Sequence, residues 1–422
     1  MEVSRVVEHL FRHEAGKMVA TLTGIFGVEH FDLAQDVVQE ALVRALQTWP
    51  YYGVPKNPSA WIMRVSRNMA LDVVRREKVF RVKEPEITRL TEEQGNAEPN
   101  AAIFSDREIA DDRLRMMFVC CHPQIPSEAR VALALKTLCG FSDAEISRAF
   151  LTTETAIAKR LTRAKQKIRE TNISFEIPVG QELSRRLDGV LQTLYLLFNE
   201  GYKASAGEKL IREELCEEAI RLTKLLAEHM AGNRPKTHAL LALMLLNAAR
   251  LATRTDEKGN MLRLKEQNRG QWDQAMISRG MLHLAKSAAG EDLTEFHIEA
   301  GIAACHCAAG DYQSTNWPQI LSLYDRLVEL DNSPIVALNR AVAVANVHGP
   351  QAGIDAIAAI QNRKDLESYY LLYAVLGEFE EQLNDPLAAA GYFRKSLQLA
   401  ELKSEQNFLL KRFQSCEQQI YA

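Results

Sequence analysis

Apolar residues recur every three or four positions along almost the whole chain, and the strict alternation of a half-buried strand is scarce. That spacing predicts an all-α fold. Residues 5–27 and 32–49 read as two helices. In "AQDVVQEALVRALQTW" (34–49), Val38, Leu42, Ala45 and Trp49 recur at helical spacing and face a core. Asp36, Gln39 and Glu40, at i, i+3 and i+4, lie side by side on the opposite face. "YYGVPKNP" interrupts the pattern with Pro and Gly, and residues 58–78 form a third helix with Pro58 near its start. "RVKEPEITRLTEEQGNAEPN" is polar, acidic and poor in aromatics, the composition of a linker. Helices resume near Asp106 and run to about Glu170, and "ISFEIPVG" marks a second boundary.

The expected layout is therefore a helical domain over 1–80, a flexible acidic linker over 81–104, a second helical domain over 105–174 and a helical extension over 181–422. In the extension helices pair through short turns. "ILSLYDRLVELDNSPIVALNRAVAVANVHGPQAGIDAIAAI" and "LAAAGYFRKSLQLAELKSEQNFLLKRF" carry small residues at packing positions. With a unit of about 34 residues they resemble degenerate tetratricopeptide repeats, and an irregular α-solenoid fits as well.

One segment has the layout of a helix-turn-helix. Ser142-Asp143-Ala144-Glu145 is a capping box that opens a short helix with Ile146 and Phe150 on its apolar face. Leu151-Thr152-Thr153 is the turn. The second helix, "TETAIAKRLTRAKQKIRE", places Ile157, Leu161, Ala164 and Ile168 on a core face and Lys159, Arg160, Arg163, Lys165 and Lys167 on the outer one. A buried stripe that fixes the helix and a basic face turned outward suit the major groove and its flanking phosphates. A charged, solvated surface helix is the plainer alternative, but the complete unit favours DNA binding.

Charge adds contrast between the halves. The whole chain has a formal net charge of -4, yet residues 1–174 sum to +2, residues 175–422 to -6, and residues 152–170 alone to +4. A local basic stripe is the footprint that matters for nucleic acid. Composition is ordinary for a globular protein, with 47% hydrophobic and 25% charged residues. No stretch approaches the roughly 20 apolar residues that span a bilayer, and the N-terminus lacks a signal-peptide layout, so a cytoplasmic protein without membrane attachment is expected. The seven cysteines show no disulfide-like spacing and read as reduced thiols. Cys120-Cys121-His122 and Cys305-His306-Cys307 lack a second ligand pair at zinc spacing, so no metal and no cofactor is expected. No phosphate-cradling glycine loop, HExxH or GxSxG occurs, and no catalytic residue is expected.

Three motifs, in order along residues 10–170, resemble the sigma-70 family, and within it the extracytoplasmic-function sigma factors. "AQDVVQEALVRALQTW" resembles the region 2 helix that docks on the β′ coiled coil of RNA polymerase. "NPSAWIMRVSRNMALDVVRRE" resembles the promoter-melting helix. "PSEARVALALKTLCGFSDAEISRAFLTTETAIAKRLTRAKQKIRE" resembles region 4, which reads the −35 element and meets the β flap. The resemblance implies that Asp36, Gln39 and Glu40 bind core polymerase, carboxylates being suited to bidentate pairing with arginines on a partner helix. It implies that Arg64, Arg67, Asn68, Arg75 and Arg76 engage the −10 element, with Asn68 reading a flipped base and the arginines holding phosphates. It implies −35 contacts from Thr153, Thr155, Lys159, Arg160, Arg163, Lys165 and Lys167. Trp61, Ile62 and Val65 form an apolar stripe, Trp61 reads as core rather than as a stacking platform, and Asp72 reads as an intramolecular partner of the nearby arginines.

There are departures. Many relatives carry a basic residue where this chain has Ala158, and a Gly and a Thr where it has Thr155 and Ala156, so a different −35 sequence is expected. Minimal members end near residue 170. "LYLLFNEGY", "WDQAMISRG", "TNWPQILSLYDRL" and "PIVALNRAVAVA" resemble the extension of a subgroup with a tetratricopeptide-like tail. Asn199, Glu200, Trp272, Asp273, Trp317 and Asn339 in it read as interhelix hydrogen-bonding groups, with a small-ligand or peptide groove as the alternative. The expected function is a promoter-specific sigma factor regulated in cis by this extension, which takes a protein or peptide partner. The competing readings are a helix-turn-helix regulator with a sensor domain, and an enzyme in the C-terminal helices using Glu200, Asp273 or His306.

Overall fold

The structure, a computed structural model, describes residues 2–80, 106–138, 140–150, 152–171, 173–178, 180–204, 210–257, 259–290 and 293–421. The expected linker at 81–104 lies outside them, as does Leu151 in the expected turn. Among the described residues there are nineteen α-helices, and the only extended pairing is an isolated bridge between Thr255 and Met261. The chain divides into two compact units, Met1–Leu194 and Tyr195–Ala422.

The first unit opens with α1 (Glu2–His13), α2 (Ala15–Phe26), α3 (Phe31–Tyr52) and α4 (Pro58–Phe80). The stretch expected as one helix over 5–27 is two, parted at Glu14, whose carboxylate binds Lys17 at 2.8 Å. In α3 the expected stripe of Val38, Leu42, Ala45 and Trp49 is buried, and Gly53 ends the helix at a φ of 82° that favours glycine. Then come α5 (Asp106–Cys120), α6 (Ser127–Leu138), α7 (Asp143–Ala149) and α8 (Glu154–Glu170). α6 is the centre of this unit: Val131, Ala132, Leu133, Ala134 and Leu135 are all buried, so most of its circumference is covered. It packs against α2, α5, α7 and α8, while α2 also packs against α3 and α5.

The two helical segments on either side of the linker therefore share one core. The approach is closest at Gly16, where a Cβ would lie 1.9 Å from the Leu138 carbonyl oxygen. Only a residue without a side chain lets the two backbones meet there. The Arg113 guanidinium, itself buried, donates to that same carbonyl at 3.0 Å.

The unit boundary falls inside α9 (Gly180–Tyr202), later than the expected start of the extension at 181. The reason is packing within the first unit. Leu183, Leu187, Val190 and Leu191 are buried, Arg186 donates to the Phe118 carbonyl at 3.3 Å, and Gly189 lies against the Cys121 side chain.

The second unit continues with α10 (Glu213–Glu228), α11 (Pro235–Ala248), α12 (Gln274–Ser287), α13 (Glu295–Ala308), α14 (Trp317–Leu330), α15 (Pro334–His348), α16 (Pro350–Ala358), α17 (Tyr370–Gln382), α18 (Pro386–Leu399) and α19 (Lys403–Tyr421). Most of these helices pack on the next in the chain, and α11 packs on both α12 and α13. Proline at the first turn and a side-chain cap recur: Asn316, Ser333 and Asp385 each accept a backbone N–H at the start of a proline-led helix. Small residues set the spacing, as at Gly377, where a Cβ would meet the Phe393 ring at 2.9 Å.

Candidate nucleic-acid interface

The helix-turn-helix is built as its caps dictate. The Ser142 N–H donates to the Glu145 carboxylate at 2.7 Å, and the Glu145 N–H donates to the Ser142 hydroxyl at 3.1 Å, so two otherwise orphaned N–H groups are satisfied reciprocally. Thr153 caps α8, its hydroxyl accepting from the Ala156 N–H at 3.2 Å. Such caps stabilise a helix end by about 1 kcal/mol. Ile157, Leu161, Ala164 and Ile168 are the buried residues of α8. Burying this stripe turns Thr155, Lys159 and Arg163 to the surface, and neither Lys159 nor Arg163 has an ion pair among the described residues. Arg160 and Lys167 are partly covered.

Lys165 is engaged differently. Its ammonium donates to the Gln35 side-chain oxygen at 2.5 Å and lies 3.7 Å from Asp32, while Arg169 lies 3.3 Å from the same carboxylate. Sequence reasoning missed Asp32 and Gln35, since no periodicity in α3 points to a contact 130 residues away. The signal present was only an acidic residue in the first turn of α3.

On α3 itself, Asp36, Gln39 and Glu40 are all exposed. Glu40 pairs with Arg44 one turn on, at 3.3 Å, and Asp36 has no ion pair among the described residues. On α4 the inner face is Ile62, Ser66 and Ala70, all fully buried, of which the sequence reading anticipated only Ile62. Arg64, Asn68, Arg75 and Arg76 are exposed, while Arg67 is partly covered and its Nε is buried without a hydrogen-bond partner. Trp61 packs edge-on against the buried Trp49, ring centroids 5.4 Å apart, which anchors it in the packing as expected. One expectation is corrected. Asp72 is exposed, and among the described residues no ion pair joins it to Arg75 or Arg76; on α4 those side chains extend into solvent, where an exposed pair gains little.

The polar groups singled out in the extension mostly serve packing. Glu200 is buried and pairs with Arg212 at 3.3 Å, and Asp273 caps α12 by accepting from the Met276 N–H at 2.8 Å. Asn199 hydrogen-bonds Tyr195. Trp272 is buried beneath the Arg269 guanidinium. Trp317 packs against His306 and Tyr312, and Asn339 stands exposed. Burial pushes the Cys121 thiol up to about 12 and the Cys307 thiol up to about 11, so both stay protonated at neutral pH. Among the described residues no three His, Cys, Asp or Glu side chains gather as a metal site, and no helix is long and apolar enough to cross a membrane.

Comparison with known proteins adds three domain matches. Residues 10–79 match the family described as Sigma-70 region 2, residues 115–168 match Sigma-70, region 4, and residues 186–288 match a family of unknown function, DUF6596. An uncharacterized protein of Rhizobium meliloti (strain 1021) is 36% identical over 381 residues, which is 90% of this chain and 89% of that protein. No solved structure matches.

Proposed function

The chain belongs to the sigma-70 family, and from that premise we propose that it recruits core RNA polymerase to promoters, with its C-terminal helical half regulating it in cis. The reading places it in the extracytoplasmic-function group, among members with a tetratricopeptide-like extension. Asp36, Gln39 and Glu40 dock on the β′ coiled coil. Arg64, Arg67, Asn68, Arg75 and Arg76 hold the melted −10 strand. Region 4 reads the −35 element through Thr153, Thr155, Lys159, Arg160, Arg163, Lys165 and Lys167, and meets the β flap.

The observation that carries this reading is the coexistence, in one compact unit, of three distinct polar faces: an acidic one on α3, an arginine–asparagine one on α4 and a basic one on α8, which Thr153 caps. A repressor needs only the last. The decisive experiment is transcription from a genomic promoter library with core polymerase and the full chain. Promoter-specific transcripts that vanish in the Asp36→Lys, Glu40→Lys double variant support the proposal. Tight duplex binding without polymerase, and no transcripts with it, would favour the repressor.

Two features support a regulatory role for the extension. Its net negative charge disfavours a contact with phosphates. Its first helix, α9, also supplies core residues to the unit that carries the three faces. Truncation after Glu176 would strip Leu183, Leu187, Val190 and Leu191 from that core, so the informative cut is after Tyr202. Transcription from this shorter chain that matches the full chain under all conditions would remove the regulatory claim.

A further inference from the structure

The second unit contains a half-open cavity of about 360 Å³ lined from α9, α11, α13, α14 and α15. That is the lower end of the range for small-molecule pockets, too small for a folded partner. Its walls are unusual in the charge they carry. Arg250 and Glu299 both line it, and neither has an oppositely charged side chain among the described residues. Arg250 donates through Nε to the Tyr202 hydroxyl at 2.7 Å, a neutral acceptor that leaves its terminal nitrogens unpaired. Glu299 accepts only from the Tyr195 hydroxyl, at 3.1 and 3.2 Å. Glu378 in the same unit, by contrast, is neutralised by Arg263, Lys265 and Arg412, while the buried Arg269 is satisfied by the His306 and Ala309 carbonyls and the Thr315 hydroxyl.

From these two unneutralised groups facing one space, we infer that the cavity binds a small zwitterion of the free amino-acid class, its carboxylate on Arg250 and its ammonium on Glu299. A guanidinium binds a carboxylate through two parallel hydrogen bonds, and a carboxylate seats an ammonium through charge-assisted ones. The remaining lining suits the rest of such a molecule. Leu243, Leu246, Ile302 and Leu327 offer an apolar wall for an aliphatic side chain. His306 lines the same space, and its buried Nδ1 has no hydrogen-bond partner. A ligand N–H or O–H would satisfy it.

The electrostatics of the wall follow from burial and from these two groups. Burial raises Glu299 to about 7, the Tyr195 hydrogen bond opposes the rise, and Glu295 and Asp331 add to it. Burial lowers His306 to about 3, and Arg250 and Arg269 lower it further. Burial pushes the Tyr324 phenol up, Glu299 pushes it the same way and Arg250 pulls it down, so one wall residue feels both poles. An ammonium bound at Glu299 would favour the ionised carboxylate and release the proton it holds near neutral pH.

The inference does not depend on the sigma-factor reading, because the test needs neither polymerase nor DNA. The full chain is titrated at pH 7 with each free amino acid and, for any that bind, with its N-acetyl and its carboxamide derivative. Aliphatic amino acids are expected to bind, and each derivative to bind at least about tenfold more weakly, the loss of one buried charge pair. Calorimetry in two buffers of different ionisation heat is expected to show release of about half a proton per ligand. Glu299→Gln is expected to abolish that release and to bring the parent amino acid and its N-acetyl derivative to similar affinity, while the carboxamide, which tests Arg250, stays weaker than the parent. The unliganded melting temperature of each variant reports that it folds. No binding of any amino acid at up to about 10 mM overturns the proposal. So does equal binding of the parent amino acid and both derivatives, and so does binding without proton release.

Discussion

In the unit formed by Met1–Leu194, Asp36, Arg64, Arg75, Arg76, Lys159 and Arg163 stand at the surface with no ion pair among the described residues. In Tyr195–Ala422 the enclosed carboxylates are surrounded. Glu378 takes Arg263 at 2.6 Å, Arg412 at 3.1 Å and Lys265, and Glu405 takes Lys203 at 3.0 Å and the Tyr370 hydroxyl. Charges held by their neighbours fix helices in place. Charges left in water cost the fold little and remain available to a partner. Arg250 and Glu299 differ from these carboxylates: they line one cavity, and neither has an oppositely charged side chain among the described residues.

The largest expected effect tests the paired side of this contrast. Glu378→Gln removes the carboxylate that Arg263, Lys265 and Arg412 share; Arg263 keeps Glu266 and Arg412 keeps Glu381, so the change costs up to about 3 kcal/mol. Asp36→Lys with Glu40→Lys is expected to change stability by no more than about 0.5 kcal/mol, while weakening core-polymerase binding at least about tenfold. Chemical denaturation of both variants reads the difference. Equal destabilisation would erase the distinction between scaffold charge and interface charge.

The same contrast has a pH signature. Burial opposes ionisation of Glu378, but Lys265, Arg263 and Arg412 hold it down to about 2, below its ordinary 4.5. Its contribution is present above about pH 4.5 and is lost as pH falls through about 2. Glu299 runs the other way. Raised to about 7 from 4.5, it contributes fully below about pH 4.5, and the contribution is lost as pH rises through about 7. Stability should therefore fall between pH 4.5 and 7 by up to about 3 kcal/mol from this group, less where cavity water reaches it. Glu299→Gln should flatten that slope in melts recorded across the range.

A third test concerns the shared core of the first unit. Gly16→Val forces a side chain into the Leu138 backbone, and overpacking of this kind costs about 1–3 kcal/mol. The expected outcome is lower stability of the packed state and easier separation of the two sigma regions, read by chemical denaturation and by small-angle scattering. A variant as stable and compact as the parent would show that the close approach is dispensable.

The recognition helix offers a fourth. If Arg163 reads a base edge, Arg163→Ala should cost about 1–3 kcal/mol at the cognate −35 element and relax one position. Lys159→Ala should weaken all sequences alike and reduce the salt dependence. Unchanged preference in both would remove the base-reading role.

Much of this architecture was legible in the sequence, for reasons that differ by element. The buried stripes of α3 and α8 follow from helical spacing, and the capping box at Ser142 from chemistry four residues long. The close packing of α2 on α6 was not legible, because one glycine carries no periodic signal. The packing on Phe118 and Cys121 of the helix that follows "ISFEIPVG" was not legible, because that segment has the composition of a boundary. Arg250 left a trace as the single charge in the apolar run "LLALMLLNAARLA", and Glu299 is one of two glutamates in "EFHIEAGIAACHCA". Their convergence on one cavity depends on tertiary packing that spacing does not encode.

The smallest expected effect probes the one place where the surface charge of the first unit is paired across its helices. Asp32 meets Lys165 at 3.7 Å and Arg169 at 3.3 Å, and Gln35 accepts from Lys165. Asp32, Lys165 and Arg169 are all partly exposed, so the contact is worth at most about 1 kcal/mol and weakens with salt. If Lys165 meets a DNA phosphate, Asp32 competes for its charge and repels that phosphate. Asp32→Asn removes that competition. The variant is therefore expected to bind promoter duplex about two- to fivefold more tightly at low salt, a gain of up to about 1 kcal/mol that disappears as salt rises. Fluorescence anisotropy with a labelled duplex across a salt series reads it. Unchanged affinity at low salt would mean that Lys165 makes no DNA contact, leaving the DNA-binding role to the other basic residues of α8.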